Sequence, residues 1–165
     1  MLRMDNSCKL YNGLALQEIV GPQLWDNNGN QVETSVISEA TDQIGLLFTA
    51  HAAKSTKQFL SKLTKYYEKR RMSRHHKFEI VFFSCEPDQK SHDAFFNDMP
   101  WLAVPFSSIY CRSVAYKKFS AEALEQTFII VNSKTGEIVD CNGIDLINNE
   151  VGNFNRESRT NSVFK

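Results

Sequence analysis

The sequence predicts an α/β fold, a central mixed β-sheet with helices on both faces, and three observations predict it. Gly45-Leu46-Leu47-Phe48, Ile80-Val81-Phe82-Phe83-Ser84 and Phe128-Ile129-Ile130-Val131 are short, continuously apolar runs bounded by polar residues. Such runs suit strands buried on both faces. Helical patterns stand between them, and helices between buried strands require right-handed parallel crossovers. After the last run, Asn132-Ser133-Lys134-Thr135-Gly136 turns the chain into Glu137-Ile138-Val139, an antiparallel partner that makes the sheet mixed.

The elements follow in order. Leu14-Ala15-Leu16 and Ile19-Val20 open the apolar part, and Asn27-Asn28-Gly29-Asn30 then marks a hairpin. Asn-Gly between extended segments favours a type I′ turn, which needs positive φ. After the strand at 45–48 comes a long helix, because Phe59, Leu63, Tyr66 and Tyr67 fall at i, i+4, i+7 and i+8. Ser55 and Gln58 have the spacing of a capping box at its start. The strand at 80–84 leads through Glu86-Pro87-Asp88 into a helix over about 90–98 that stops at Pro100. A further helix over about 108–119 precedes the strand at 128–131. The Asn/Ser/Arg-rich end reads as a polar tail, giving one domain over 10–148 and a tail over 149–165.

Composition bounds the function. The 165 residues suit one domain, and 42% hydrophobic with 12% aromatic content excludes a disordered chain. Nineteen basic residues balance nineteen acidic ones, so no net charge draws the chain to nucleic acid or membrane. Apolar runs of about four residues fall far short of the ~20 that a spanning helix needs. An acid, Asp5, precedes any apolar stretch, so the start does not read as a signal peptide. A soluble, intracellular protein is expected. Cys8, Cys85, Cys111 and Cys141 include no C-x-x-C pair, and reduced thiols, three or four of them buried or half-buried, are the expectation.

Charge is nevertheless unevenly spread. Residues 54–77 hold nine Lys and Arg and one acid, Glu68. Lys62, Lys65, Lys69, Arg70, Arg71 and Arg74 mark a candidate basic binding face, weighed against a solvated helix face. An acidic protein partner is preferred to nucleic acid, because no aromatic residues are interleaved on that face for base stacking. His75-His76, with His51 and His92 elsewhere, lacks ligand spacing, so neither a metal nor another cofactor is expected. Ser55 and Thr56 at a helix start have an anion-binding reading, with the cap preferred. Trp25 and Trp101 read as packing.

Leu47-Phe48-Thr49-Ala50-His51, a helix ending in Tyr66-Tyr67-Glu68-Lys69, Phe78-Glu79-Ile80-Val81-Phe82-Phe83-Ser84 and Met99-Pro100-Trp101-Leu102-Ala103-Val104-Pro105-Phe106 follow one another in that order. Together they resemble the tryparedoxin/nucleoredoxin branch of the thioredoxin superfamily, over about residues 10–148. The resemblance implies a thioredoxin-like fold, disulfide reductase chemistry and, through nucleoredoxins, a role in cytoplasmic or nuclear signalling.

Where relatives carry Ala-His-Trp-Cys-Pro-Pro-Cys-Arg, this chain reads Ala50-His51-Ala52-Ala53-Lys54-Ser55-Thr56-Lys57. Ala53 and Thr56 take the places of the two cysteines, and Ala52 that of the tryptophan. The family's cis-proline position falls at Gln126, whose preceding peptide is expected to be trans. Thiol–disulfide exchange needs a thiolate and a second thiol to release it. The expectation is therefore a pseudo-enzyme, redox-inactive and serving as a protein-binding or regulatory module. The alternatives are a thiol oxidoreductase or peroxide reductase using a lone cysteine, and a nucleic-acid accessory acting through the basic helix. Cys85, after the second buried strand, is the candidate reactive thiol, with Glu86 beside it opposing the thiolate.

Overall fold

The computed structural model describes residues 15–74, 77–122 and 124–161, with side chains to residue 153 in the last stretch. Leu14, Cys8, His75 and His76 lie outside the described residues. The chain runs α1 (Leu16–Val20), β1 (Gln23–Trp25), β2 (Gln31–Glu33), α2 (Thr34–Ala40), β3 (Gln43–Thr49) and α3 (Thr56–Met72). It continues through β4 (Phe78–Ser84), α4 (Gln89–Phe96), β5 (Leu102–Ala103), α5 (Ile109–Lys118), β6 (Thr127–Asn132), β7 (Ile138–Asp140) and α6 (Gly143–Asn161). No helix among the described residues is long and apolar enough to cross a membrane.

All seven strands join one sheet in the order β2-β1-β5-β4-β3-β6-β7. β3, β4 and β5 run parallel, while β6 pairs antiparallel with β3, and β7 with β6. The mixed sheet is thus as expected, and the reason is visible in the side-chain alternation. Leu47, Phe82 and Phe128 point to one face, where Phe59, Leu63, Tyr66, Tyr67, Ile147 and Val151 from α3 and α6 cover them. Leu46, Phe48, Val81, Phe83 and Ile129 point to the other, against Leu16 and Ile19 of α1 and Ala115 of α5. Period-2 alternation sends adjacent residues to opposite faces, so a continuously apolar strand needs cover on both.

The structure differs from the expectations at five places. Residues 16–20 form a short helix, since Leu16, Ile19 and Val20 recur at helical spacing and all pack under the sheet. The hairpin exists, but its loop is longer than a type I′ turn. Asp26 accepts from the backbone of Asn28 at 2.9 Å and of Asn30 at 2.8 Å, and among the loop residues only Gly29 has positive φ, at 83°. α2 and β5 are elements the periodicity did not reveal, both too short to show a period. The capping box is not formed: Ser55 sits in the left-handed region at φ 60° and its side chain caps nothing.

Finally, the tail expected from 149 is the continuation of α6. Ile144, Ile147 and Val151 lie at i, i+3 and i+7 and pack on the core cluster, with Ile147 fully buried and Val151 4% exposed. The helix starts close against the sheet. A Cβ at Gly143 would stand 2.7 Å from the Phe128 carbonyl oxygen, so glycine alone fits there.

Candidate functional site

The C-terminal edge of the parallel strands is where a loop, a helix start and the segment before β6 converge. β3 ends at Thr49, and residues 50–55 cross to the first turn of α3. Ala53 and Thr56 are both buried, at 6% and 4% exposure. The Thr56 hydroxyl donates to the Ala53 carbonyl at 2.6 Å, with the Ala50 carbonyl at 3.2 Å. Gln126 reaches in from the far side. Its side-chain amide donates to Thr56 Oγ1 at 2.9 Å and to the Lys54 carbonyl. The peptide bonds of the described residues are all trans, Gln126 included. Sequence reasoning marked Gln126 as a departure and missed its action as a clamp across the loop.

His51, Ala52, Lys54 and Ser55 form the exposed rim. The His51 backbone N–H donates to the Glu86 carboxylate, and its ring stands edge-on to Phe95 with centroids 5.7 Å apart. This edge opens into a groove of about 560 Å³ between α3 and α4, walled by Leu60, Phe95, Met99 and Trp101 and rimmed by Lys57, Glu86 and Asp98. Trp101 is 2% exposed, and its indole Nε1 has no hydrogen-bond partner. The indole was expected only to pack; the groove beside it joins α3 to α4, with Leu60 and Phe95 35 positions apart, and has no local signature.

Cys85 follows β4, and its backbone N–H donates to the Thr49 carbonyl at 3.0 Å, which ties it to the same edge. Its sulfur lies against the Tyr116 hydroxyl. Burial pushes the Cys85 thiol up to about 11, with Glu86 adding to the rise and Tyr116 and Arg112 opposing it. The expected opposition of Glu86 is present, but burial is the larger cause. Cys111 is half-buried and its Sγ is 3.4 Å from the Ile19 carbonyl, whereas Cys141 is exposed.

The basic face is not uniformly solvated. The Arg70 guanidinium lies over Phe78 at 4.9 Å and donates to Gln43 at 3.1 Å, and Arg71 lies over Tyr67 at 5.5 Å. Lys62 donates to Asn148 at 2.9 Å, which joins α3 to α6. Lys65 and Arg74 are exposed. No cluster of three His, Cys, Asp or Glu residues able to hold a metal occurs among the described residues.

Comparison with known proteins places this geometry. A thioredoxin-like family model matches residues 42–138. Nucleoredoxin of Xenopus laevis is 30% identical over 135 residues, covering 82% of this chain and 31% of its own length. This chain therefore spans about a third of the nucleoredoxins that it matches. Tryparedoxin of Trypanosoma brucei brucei is 30% identical over 107 residues, covering 65% of this chain and 72% of that protein. The crystal structure of native tryparedoxin I from Crithidia fasciculata superposes with a TM-score of 0.68 at 26% identity, over 79% of this chain and 88% of that one.

These relatives correct one expectation. The reading of the chain as a pseudo-enzyme, and so not an enzyme, is overturned, because nucleoredoxins and tryparedoxins are oxidoreductases and Cys85 is present. The thioredoxin-like fold with its mixed sheet stands as expected. On the family model and the 30% identity to a tryparedoxin, the chain belongs to the tryparedoxin/nucleoredoxin branch of the thioredoxin-like family.

Proposed function

We propose that this domain is a protein-binding module that receives an apolar segment of a partner polypeptide in the groove between α3 and α4, with the cytoplasm as its compartment. One observation carries the reading: the groove has apolar walls built from Leu60, Phe95, Met99 and Trp101, beside a loop held in place by Gln126. A volume of about 560 Å³ is ample for one large side chain and its flanking backbone. The rim mixes Lys57 with Glu86 and Asp98, which favours a segment of little net charge.

A displayed random-peptide library tests it, selected against the full chain and counter-selected against Ala94→Trp. Ala94 is exposed on the groove side of α4, so tryptophan there fills the groove without entering the core. Enriched peptides should carry a bulky apolar residue and bind Ala94→Trp at least about tenfold more weakly. Peptides that bind both proteins equally would refute the groove as the site.

A second reading has its own observation. Cys85 stands on the same edge with Arg112 near its sulfur, which supports single-thiol exchange with a small disulfide at alkaline pH, where the raised thiol ionises. Incubation with oxidised glutathione, followed by peptide mass mapping, should place the adduct on Cys85 rather than Cys111. An adduct unchanged by Cys85→Ser removes this reading.

A further inference from the structure

A second cavity, of about 600 Å³, lies on the opposite side of α4 from the groove, between the β1–β2 turn, α4 and the segment after β5. Trp25, Phe96 and Phe106 supply aromatic surface, Asp93 supplies a carboxylate, both Asp26 oxygens are taken up by Asn28 and Asn30, and no Lys or Arg lines it. Asp93 takes one hydrogen bond, from Gln89 to Oδ1 at 2.7 Å, which leaves its other oxygen for a ligand.

His92 also lines this cavity. It is 5% exposed, its Nδ1 has no hydrogen-bond partner, and its ring packs against Phe82, Phe96 and Phe106 with centroids 5.9, 5.7 and 5.3 Å away. Burial holds the imidazole below its ordinary pKa, so near neutral pH one ring nitrogen carries a lone pair that accepts from a donor. The charged groups that reach His92 are Asp93, Arg112 and Glu86, two acids against one base. Arg112 is not part of the cavity lining, but its guanidinium lies 4.0 Å from the Phe106 ring centroid, which shows that this ring accepts a cation.

We propose that this cavity receives the cationic side chain of a lysine or arginine in a partner polypeptide, with the apolar stem on the rings and the charged head toward the free oxygen of Asp93. Such side chains combine a hydrocarbon stem with a head that donates hydrogen bonds and accepts none. Aromatic faces and the Asp93 carboxylate answer those parts. That the cation comes from a polypeptide rests on the reading of the domain as a protein-binding module; the choice of a cation rests on this cavity alone.

The test titrates the full 15N-labelled chain with Nα-acetyl-arginine methylamide, its lysine counterpart and the neutral citrulline analogue. Either cation should give saturable shifts of the Trp25 indole N–H and of the His92 ring nitrogens. The citrulline compound should bind about fivefold more weakly or not at all, and Asp93→Asn should weaken the cations by a similar factor. Ala94→Trp, which fills the groove on the other side of the helix, should leave these titrations unchanged, so the two sites succeed or fail separately. Equal response to citrulline, indifference to Asp93→Asn, or the absence of saturable shifts in a well-dispersed spectrum would each overturn the proposal.

Discussion

Gln126 joins two segments 70 residues apart through a single amide group, and the loop over the parallel strands takes its shape from that contact. Gln126→Ala should cost about 1–2 kcal/mol, the usual loss when a half-buried hydrogen bond is removed, and should speed amide exchange over residues 50–56. Mass-resolved hydrogen exchange reads this directly. His92 makes a pH prediction. Burial lowers its pKa in the folded state from 6.5, so below pH 6.5 the unfolded chain binds a proton that the folded chain does not. Stability is therefore full above pH 6.5 and falls as pH drops below it, until the folded imidazole also titrates. Urea unfolding at pH 7.5 and 5.5 should show this slope in the wild type and a flatter one in His92→Phe. Cys85, with its thiol pushed up to about 11, should react with an aromatic disulfide more slowly at pH 7.5 than the exposed Cys141 does. Equal rates for the two thiols would contradict the burial that shifts it.

Among the elements, α6 and the start of α3 carry the sharpest tests. Ending the chain at residue 148 removes Val151 and all but the first six of the 19 residues of α6. The shortened chain should unfold at lower urea than the full one, by more than the ~2 kcal/mol expected for one buried valine. A free tail would leave the midpoint in place. At α3, Ala53 and Thr56 are joined by the Thr56 N–H to the Ala53 carbonyl at 3.3 Å, so the two positions lie within one turn. The double change Ala53→Cys, Thr56→Cys should form a reversible intramolecular disulfide, because a one-turn separation falls within the ~4.4–6.8 Å Cα range such bridges use. Failure of the folded variant to bridge under oxidising conditions would show that these positions do not face each other. Gly143→Ala drives a methyl onto the Phe128 carbonyl and should destabilise by about 1–3 kcal/mol, read by thermal melting.

At the scale of the molecule, one sheet divides two cores, and neighbours in sequence serve different ones: Leu47 faces α3 and α6, Leu46 faces α1 and α5, and both are fully buried. Leu46→Ala and Leu47→Ala should each cost about 2–5 kcal/mol, and each should move one cooperative transition seen alike by fluorescence and far-ultraviolet dichroism. Separate transitions would mean the two layers unfold independently. The mixed sheet, its three buried central strands and the long helix were legible in the sequence, because burial on both faces demands continuous apolar runs and a covered helix demands an apolar stripe. The loss of the vicinal cysteines was equally plain from Ala53 and Thr56. What tertiary structure decided is everything made by distant partners. Ser55 has the sequence of a cap yet adopts a left-handed turn without capping, while Gln126 bonds the neighbouring Thr56 and Lys54. The polar end folds as α6 because Ile147 and Val151 find a face of the sheet to cover. The groove and the acidic cavity exist only where α4 passes between α3 and the hairpin. Local spacing encodes a residue's own helix or strand; a hydrogen bond or cavity built from segments tens of residues apart depends on packing, for which the chain carries no local period.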